Sequence, residues 1–399
     1  MRYLLQHINA CRPVNPLPTA RTVPLRHLHN SLKPLLVLGI ESSADDSSAS
    51  IVSSNREILS LVTISQHNEN SIHGGIHPLV AQSSHNKNVP LAIERCIKQS
   101  GVKLDDIDAI AYTRGPGMRG CLMVGEMAAK GLSAGTGKRL IGVHHMQAHA
   151  LTPLLTESDP PEFPFLILLV SGGHTQLVLA ESQDNFKILL DTLDSKIGDV
   201  FEKAARLLKL PHSSTISPGA ILEKFATMSP LSPYDQTSEK KLPIPLSTGD
   251  TKHKEAFSFA GILSSLQRRL PINLTEGDQR EFSRIFQQAV TGHLILKLEQ
   301  TISIITKEGL NKINGLVVSG GVASNAYLRK QLQEMLNRYK NESEEIKLFY
   351  PPISLCTDNA AMIAWTAILR LQADPTLNEP YDLPIRPKWS LEELYNDVE

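Results

Sequence analysis

Apolar positions in this chain fall into short, nearly continuous runs broken by clusters of Ser, Asp, Asn and Gly, the pattern of strands buried on both faces rather than of a half-exposed sheet. Residues 35–40 read as such a strand, with two more at 48–52 and 57–63 after polar turns. Helical spacing follows over about 79–100, then a strand at 107–113, a helix near 122–134 and a strand at 140–143. The order is βββαβαβ.

From Phe165 the pattern restarts. Strands are expected at 165–171, 175–180 and 186–191, then a helix at about 198–208. An irregular Pro/Ser-rich insertion, roughly 211–254, precedes a long helix at 278–308, a strand at 313–319, a helix at 323–339 and a strand at 346–349. A last helix, 359–371, leads into a Pro-rich segment. Two three-stranded meanders, each feeding alternating helices and strands, predict a duplicated α/β fold with mixed sheets and a ligand cleft between the halves. Two unrelated α/β domains in series would give a similar pattern.

Composition narrows the class. A chain of 399 residues, 41% of them hydrophobic, exceeds one ordinary core and suggests two domains. No apolar run reaches the ~18 residues that span a bilayer, so no membrane role is expected. Cys11, Cys96, Cys121 and Cys356 form no CxxC pair and read as free thiols of a reducing compartment. The first 40 residues hold Arg2, Arg12, Arg21, Arg26 and Lys33, and the first acidic residue is Glu41. That asymmetry predicts a mitochondrial transit segment over 1–33, or else a basic leader without targeting function. The remaining 35 Lys/Arg against 41 Asp/Glu leave a net charge of about −6, so a nucleic-acid partner would have to meet a local basic patch.

Candidate chemistry lies in three loops and one histidine pair. Residues 39–47 (Gly-Ile-Glu-Ser-Ser-Ala-Asp-Asp-Ser) and 170–175 (Val-Ser-Gly-Gly-His-Thr) each join the first two strands of a half, and 318–325 (Val-Ser-Gly-Gly-Val-Ala-Ser-Asn) leads from strand to helix. Paired glycines let backbone N–H groups approach phosphate oxygens, and a helix N-terminus adds a favourable dipole; tight hairpins, however, need glycine as well. His145 and His149, four residues apart, share a helix face and can share a metal, though such spacing also arises by chance. Asp358 could add a carboxylate, and two His with one Asp suit zinc or iron with positions left open. The pair does not fit the zincin protease motif, because Met146 stands where that motif needs its Glu base.

Seven segments in order then carry a resemblance: 39–43 (Gly-Ile-Glu-Ser-Ser), 112–117 (Tyr-Thr-Arg-Gly-Pro-Gly), 145–149 (His-Met-Gln-Ala-His), 169–175 (Leu-Val-Ser-Gly-Gly-His-Thr), 257–261 (Phe-Ser-Phe-Ala-Gly), 319–325 (Ser-Gly-Gly-Val-Ala-Ser-Asn) and 355–361 (Leu-Cys-Thr-Asp-Asn-Ala-Ala). Together, over about 35–371, they resemble the universal tRNA threonylcarbamoyladenosine-synthesis family, and with the leader the chain looks like its mitochondrial type. The resemblance implies an actin/hexokinase-like (ASKHA) α/β fold of two RNase-H-like domains, 34–143 completed by 359–399, and 144–358 with a helical insertion. It implies transfer of the threonylcarbamoyl group from threonylcarbamoyl-AMP to the exocyclic amine of the tRNA adenosine 3′ of the anticodon in ANN-decoding tRNAs of the mitochondrial matrix, with release of AMP. By motif position, His145, His149 and Asp358 resemble ligands of one divalent metal, iron or zinc. Leu169, Val170, Ser171, Gly172, Gly173, Gly219 and Asn325 resemble the adenylate site, and Glu202 stands where a ribose-contacting Asp is usual. The partners implied are tRNA and the adenylate, with no obligatory protein partner and a homodimer as a candidate assembly.

Asp45 and Asp46 are candidate catalytic carboxylates by location, and equally candidates for capping the turn between two strands. Several positions depart from the family. Leu79 and Ser83 replace a usual carboxylate and guanidinium, Glu202 is one methylene longer than the usual Asp, Ala44 replaces a common Cys, and Pro218 stands where a first glycine is usual before Gly219. A nucleotide-binding scaffold without transferase activity and an ATP-dependent kinase of the same fold are the competing readings.

Overall fold

Strand pairing in the computed structural model repeats itself. It describes residues 33–66, 69, 76–213, 216–228, 241–252, 254–307, 313–339 and 346–397; the expected leader, except Lys33, and Cys11 lie outside them. In the first sheet, β1 (Leu36–Glu41) pairs antiparallel with β2 (Asp46–Ser53), and β2 pairs antiparallel with β3 (Glu57–Ser65). On the other edge of β1, β4 (Ala109–Gly115) and β5 (Arg139–His144) add in parallel, giving the order β3-β2-β1-β4-β5. In the second sheet, β6 (Phe165–Val170), β7 (Thr175–Ala180) and β8 (Phe186–Asp191) form the same antiparallel meander, while β9 (Gly315–Ser319) and β10 (Lys347–Phe349) add in parallel beyond β6. Order and polarity coincide strand for strand. This is the duplicated RNase-H-like, actin/hexokinase-like α/β fold that the resemblance implied.

Parallel neighbours need crossover connections, and helices supply them. Between β3 and β4 runs α1 (Pro78–Ser100), opened by proline at its first turn and stopped by Gly101 at φ 67°. Between β4 and β5 runs α2 (Arg119–Thr136), and α3 (His145–Thr156) starts directly after β5. Inserted between β8 and β9 are α4 (Ile197–Leu207), α5 (Pro218–Thr227), α6 (Ala260–Arg269) and α7 (Glu276–Lys307); α8 (Ala326–Tyr339) joins β9 to β10. A single turn, α9 (Ile353–Cys356), precedes α10 (Ala360–Ala373).

The described residues depart from expectation in the insertion. The supposedly irregular segment contains α5, where Ser217 accepts a hydrogen bond from the Ala220 N–H and Pro218 sits in the first turn, so proline begins a helix rather than ending one. Helix α6 was likewise not anticipated; Asp194, far off in sequence, accepts the Phe259 and Ala260 N–H groups at its start. The helix expected from 323 begins at Ala326, because 321–324 form a tight 3-10 turn.

Residues 34–399 form one compact unit. Its first sheet is covered by Val89, Ala92 and Ala129 of α1 and α2 on one face, and by Ala361, Ala364 and Ile368 of α10 on the other. Helix α3 belongs to both halves: Ala148 and Leu155 join the cluster around α10, while Met146, Ala150 and Leu151 pack with Phe165, Ile167 and Leu169 of β6. No helix among the described residues is long and apolar enough to cross a membrane. Cys96, Cys121 and Cys356 are buried free thiols.

Candidate metal centre and cleft

Helix α3 begins where it does because His144 caps it. Its Nε2 donates to the Trp389 carbonyl (3.2 Å), leaving Nδ1 to accept the N–H groups of Met146 (3.1 Å) and Gln147 (3.3 Å). Burial drives its pKa down to about 3, so His144 is the neutral acceptor a cap requires. One turn apart on the capped helix, His145 and His149 lie edge to face with ring centroids 4.7 Å apart. Asp358 comes from the other end of the chain, just before Asn359, whose Oδ1 caps α10 by accepting the Met362 N–H. Docking of α10 on β1 and β2 therefore fixes where that carboxylate lies.

Both Nε2 atoms converge on the same carboxylate oxygen, Asp358 Oδ1, at 3.4 Å from His145 and 3.0 Å from His149. Behind them stands Glu41, whose place in the site the sequence reading missed. It is fully buried, accepts from His145 Nδ1–H at Oε2 (3.1 Å) and from the Ser43 N–H at Oε1 (2.6 Å), and is also bonded by the Thr113 hydroxyl. That contact puts the proton on Nδ1 and frees Nε2, as an outer carboxylate does for metal-bound histidines. A buried acid on a strand otherwise apolar was the available signal.

The electrostatics agree with a cation site. Burial alone would lower the pKa of His145, yet Asp358 and Glu41 raise it to about 10. Both carboxylates lie below their ordinary range, because the neighbouring imidazoles outweigh the cost of burial. Two nitrogen donors and one oxygen donor, all within 4.8 Å of one another, make a group that could hold a zinc- or iron-type ion in place of that proton.

This group lines a cavity of about 1320 Å³ whose walls come from both halves of the chain. From the first half come Asp45, Asp46 and the loop at Pro116 and Gly117; from the second come Leu169, Val170, Ser171, Gly172, Gly173, His174, Glu202, Ser319 and Gly320. Ser171 Oγ accepts the N–H groups of Gly173 (3.2 Å) and His174 (3.0 Å), shaping the glycine turn. Against it lies the start of α4, where a Cβ on Gly198 would stand 2.6 Å from the Gly172 nitrogen. Gly320, at φ +103°, brings the third loop up to Val170 and Ser171 in a conformation other residues avoid. Gly219 and Asn325 are not among the lining residues: Gly219 lies in the first turn of α5, and Asn325 caps α8 by accepting the Leu328 N–H (2.8 Å) while donating to Gln287 (3.1 Å). Leu79 and Ser83 are exposed on α1, Leu79 by 71%.

Asp46 opens β2 with its Oδ1 buried and without a hydrogen-bond partner in the described structure. Burial, then Asp45 and Asp358, push its pKa up to about 7. The loop before it is braced by His85, which contacts Ser47 Oγ (2.7 Å) and the Ala44 carbonyl (3.0 Å).

Comparison with known proteins locates these features in a family. Residues 57–365 match the family model for tRNA N6-adenosine threonylcarbamoyltransferase. The chain is 39% identical to the mitochondrial tRNA N6-adenosine threonylcarbamoyltransferase of Schizosaccharomyces pombe over 91% of this chain and 88% of that one. It is 36% identical to the tRNA N6-adenosine threonylcarbamoyltransferase of Ralstonia pickettii, over 90% and 99%. Among solved structures, HypF of T. kodakarensis superposes with a TM-score of 0.50 at 11% identity, covering 85% of this chain and 49% of that one, a likeness of fold alone.

Proposed function

Since the chain belongs to the tRNA N6-adenosine threonylcarbamoyltransferase family, we propose that it transfers the threonylcarbamoyl group of threonylcarbamoyl-AMP to N6 of the adenosine 3′ of the anticodon in ANN-decoding tRNAs, in the mitochondrial matrix. The observation that carries this reading is the convergence of His145, His149 and Asp358 on one wall of a cavity whose opposite wall is glycine loops.

In the proposed reaction N6 attacks the carbamoyl carbon, a C–N bond forms, the C–O bond to the phosphate breaks, and AMP leaves with that bonding pair. The purine ring delocalises the N6 lone pair, so alignment matters more than prior deprotonation. The Gly172–Gly173 turn, which lets a ligand approach the backbone closely, and the dipole of the α4 N-terminus suit the phosphate and its growing charge. Leu169 and Val170 supply apolar wall, and Glu202 is within the lining for a sugar hydroxyl. His145, His149 and Asp358 would hold one divalent metal, which when bound supplies Lewis-acid stabilisation of phosphate and carbamoyl oxygens. Asp46, poised near neutrality with a free oxygen, is placed to take the N6 proton; Asp45 raises its basicity by charge.

Purified protein with threonylcarbamoyl-AMP and unmodified ANN-decoding tRNA is expected to yield threonylcarbamoyladenosine and AMP in equal amounts. Binding of the adenylate without transfer, with zinc or iron supplied, would leave the scaffold reading standing instead.

A further inference from the structure

The segment that follows α10 runs back across the molecule and ends against the helix carrying the two histidines. Its anchorage is unusually polar for a surface strap. Arg114, fully buried, donates through Nε to the Pro384 carbonyl (2.8 Å) and pairs through its terminal nitrogens with Asp397. The Arg386 N–H returns a bond to the Arg114 carbonyl (2.9 Å), and the Gly117 N–H donates to the Pro387 carbonyl (3.1 Å). Arg370 lies 3.5 Å over the Tyr395 ring and pairs with Glu379 at 2.8 Å. Residues 384–397 are thus held by two guanidinium groups, buried Arg114 and half-buried Arg370, each bonded to carbonyl and carboxylate oxygens.

What the strap delivers is a set of contacts to the start of α3: besides the two that follow, Tyr395 Oη accepts the His144 N–H (3.4 Å). The Trp389 carbonyl accepts from His144 Nε2, and its ring meets the His144 ring edge-on at 4.6 Å. Tyr395 Oη donates to Gln147 Oε1 (2.6 Å). The first contact selects the His144 tautomer that caps the helix; the second pins a side chain lying between His145 and His149 in sequence. Neither Trp389 nor Tyr395 lines the cavity, although Pro387 of the same strap does; the contacts of Trp389 and Tyr395 reach it through α3.

We infer that Trp389 and Tyr395 are positioning residues for the His145–His149–Asp358 centre: the strap sets the orientation of the first turn of α3 and thereby the alignment of both Nε2 donors with Asp358. This rests on the reading of that group as a metal centre. A purely structural strap would lower the melting temperature and leave the centre's affinity and ligand field unchanged in the protein that remains folded. A positioning strap changes the latter.

The test uses the full-length chain freed of metal, with cobalt(II) as the probe, following the visible absorption of the bound ion alongside far-UV circular dichroism. Tyr395→Phe removes only the hydroxyl. His144→Asn keeps a side-chain acceptor for the helix cap and cuts the tie to the Trp389 carbonyl, so it addresses the same strap should the first variant fold poorly. Each is expected to bind cobalt about tenfold more weakly than the unaltered chain, at the low end of what losing an outer partner costs a metal site, with a shifted absorption band and unchanged helical content. Cobalt affinity and spectrum equal to those of the unaltered chain in both variants would overturn the strap's role while leaving the metal reading intact. No cobalt uptake by the unaltered chain, matching a His145→Ala control, would overturn the metal reading itself and the strap's role with it.

Discussion

The two loops that join the first pair of strands in each half occupy the same place in a repeated topology and share almost no chemistry. In the first half the central strand ends on buried Glu41, and the loop delivers Asp45 and Asp46 to the cavity. In the second half the equivalent strand ends on buried Val170, and the loop is Ser171, Gly172, Gly173 and His174, with no acid. One side concentrates negative charge that orients a histidine and raises a neighbouring carboxyl's pKa. The other sets a glycine turn against the start of a helix, the wall proposed above to take the phosphate. On the proposed function, the duplicated scaffold divides the labour: proton and cation handling on one wall, phosphate handling on the other.

Several changes would break or sharpen that division. The largest effect is expected where the walls meet: Asp358→Ala removes the oxygen on which both imidazoles converge, and transfer should fall on the order of 10³-fold with loss of bound metal, read by product formation and elemental analysis. Asp46→Asn should cost about 10²-fold at pH 7 and abolish a rate limb near that pH, seen in the pH profile of kcat; a profile keeping that limb would move the proton's acceptor elsewhere. Glu41→Gln preserves shape but removes the charge behind His145, and metal affinity should weaken by about 10- to 100-fold, measured by competition with a chelator.

On the phosphate wall, Gly198→Ala drives a methyl group to 2.6 Å from the Gly172 nitrogen. The expected result is a loss of about 1–3 kcal/mol in stability and a raised KM for the adenylate, with the kcat of the bound complex less affected. An unchanged KM would detach the glycine turn from the adenylate.

The smallest effect separates the loops by pH in the metal-free protein. Asp46 keeps its proton in the folded state up to about pH 7, against a usual 3.8, so its contribution to stability is present below 3.8 and lost as pH rises towards 7. His174 behaves oppositely: burial, with the positive charge on His145, lowers it to about 4, so between 6.5 and 4 only the unfolded chain gains its proton and stability falls as the pH falls. His174→Gln should therefore lessen the stability lost between pH 7 and 5 by up to about 2 kcal/mol in urea titrations, whereas Asp46→Asn should make that loss larger.

How much of this was readable beforehand follows from the kind of interaction involved. The strands were legible because burial on both faces writes uninterrupted apolar runs, and the two meanders repeated visibly. Helix α5 was hidden by a proline that in isolation signals a break, and α6 by a start whose N–H groups are met by Asp194, over 60 residues away. The histidine pair announced itself by spacing, and Asp358 as a carboxylate opening the last helix, reinforced by motif resemblance. Glu41 looked like one more loop acid, and Trp389 and Tyr395 like the remnant of a Pro-rich tail.

The sequence by itself determined the duplicated α/β architecture, the family, and the identity of three residues able to ligate a metal, since periodicity and local motifs are written in consecutive positions. Only the tertiary structure decided that Glu41 stands behind His145, that Asp46 has a buried, unmatched oxygen, and that a strap from beyond α10 holds the His144 that caps the histidine helix. Those facts depend on desolvation and on contacts between residues more than a hundred positions apart, and neither quantity exists until the chain has closed on itself.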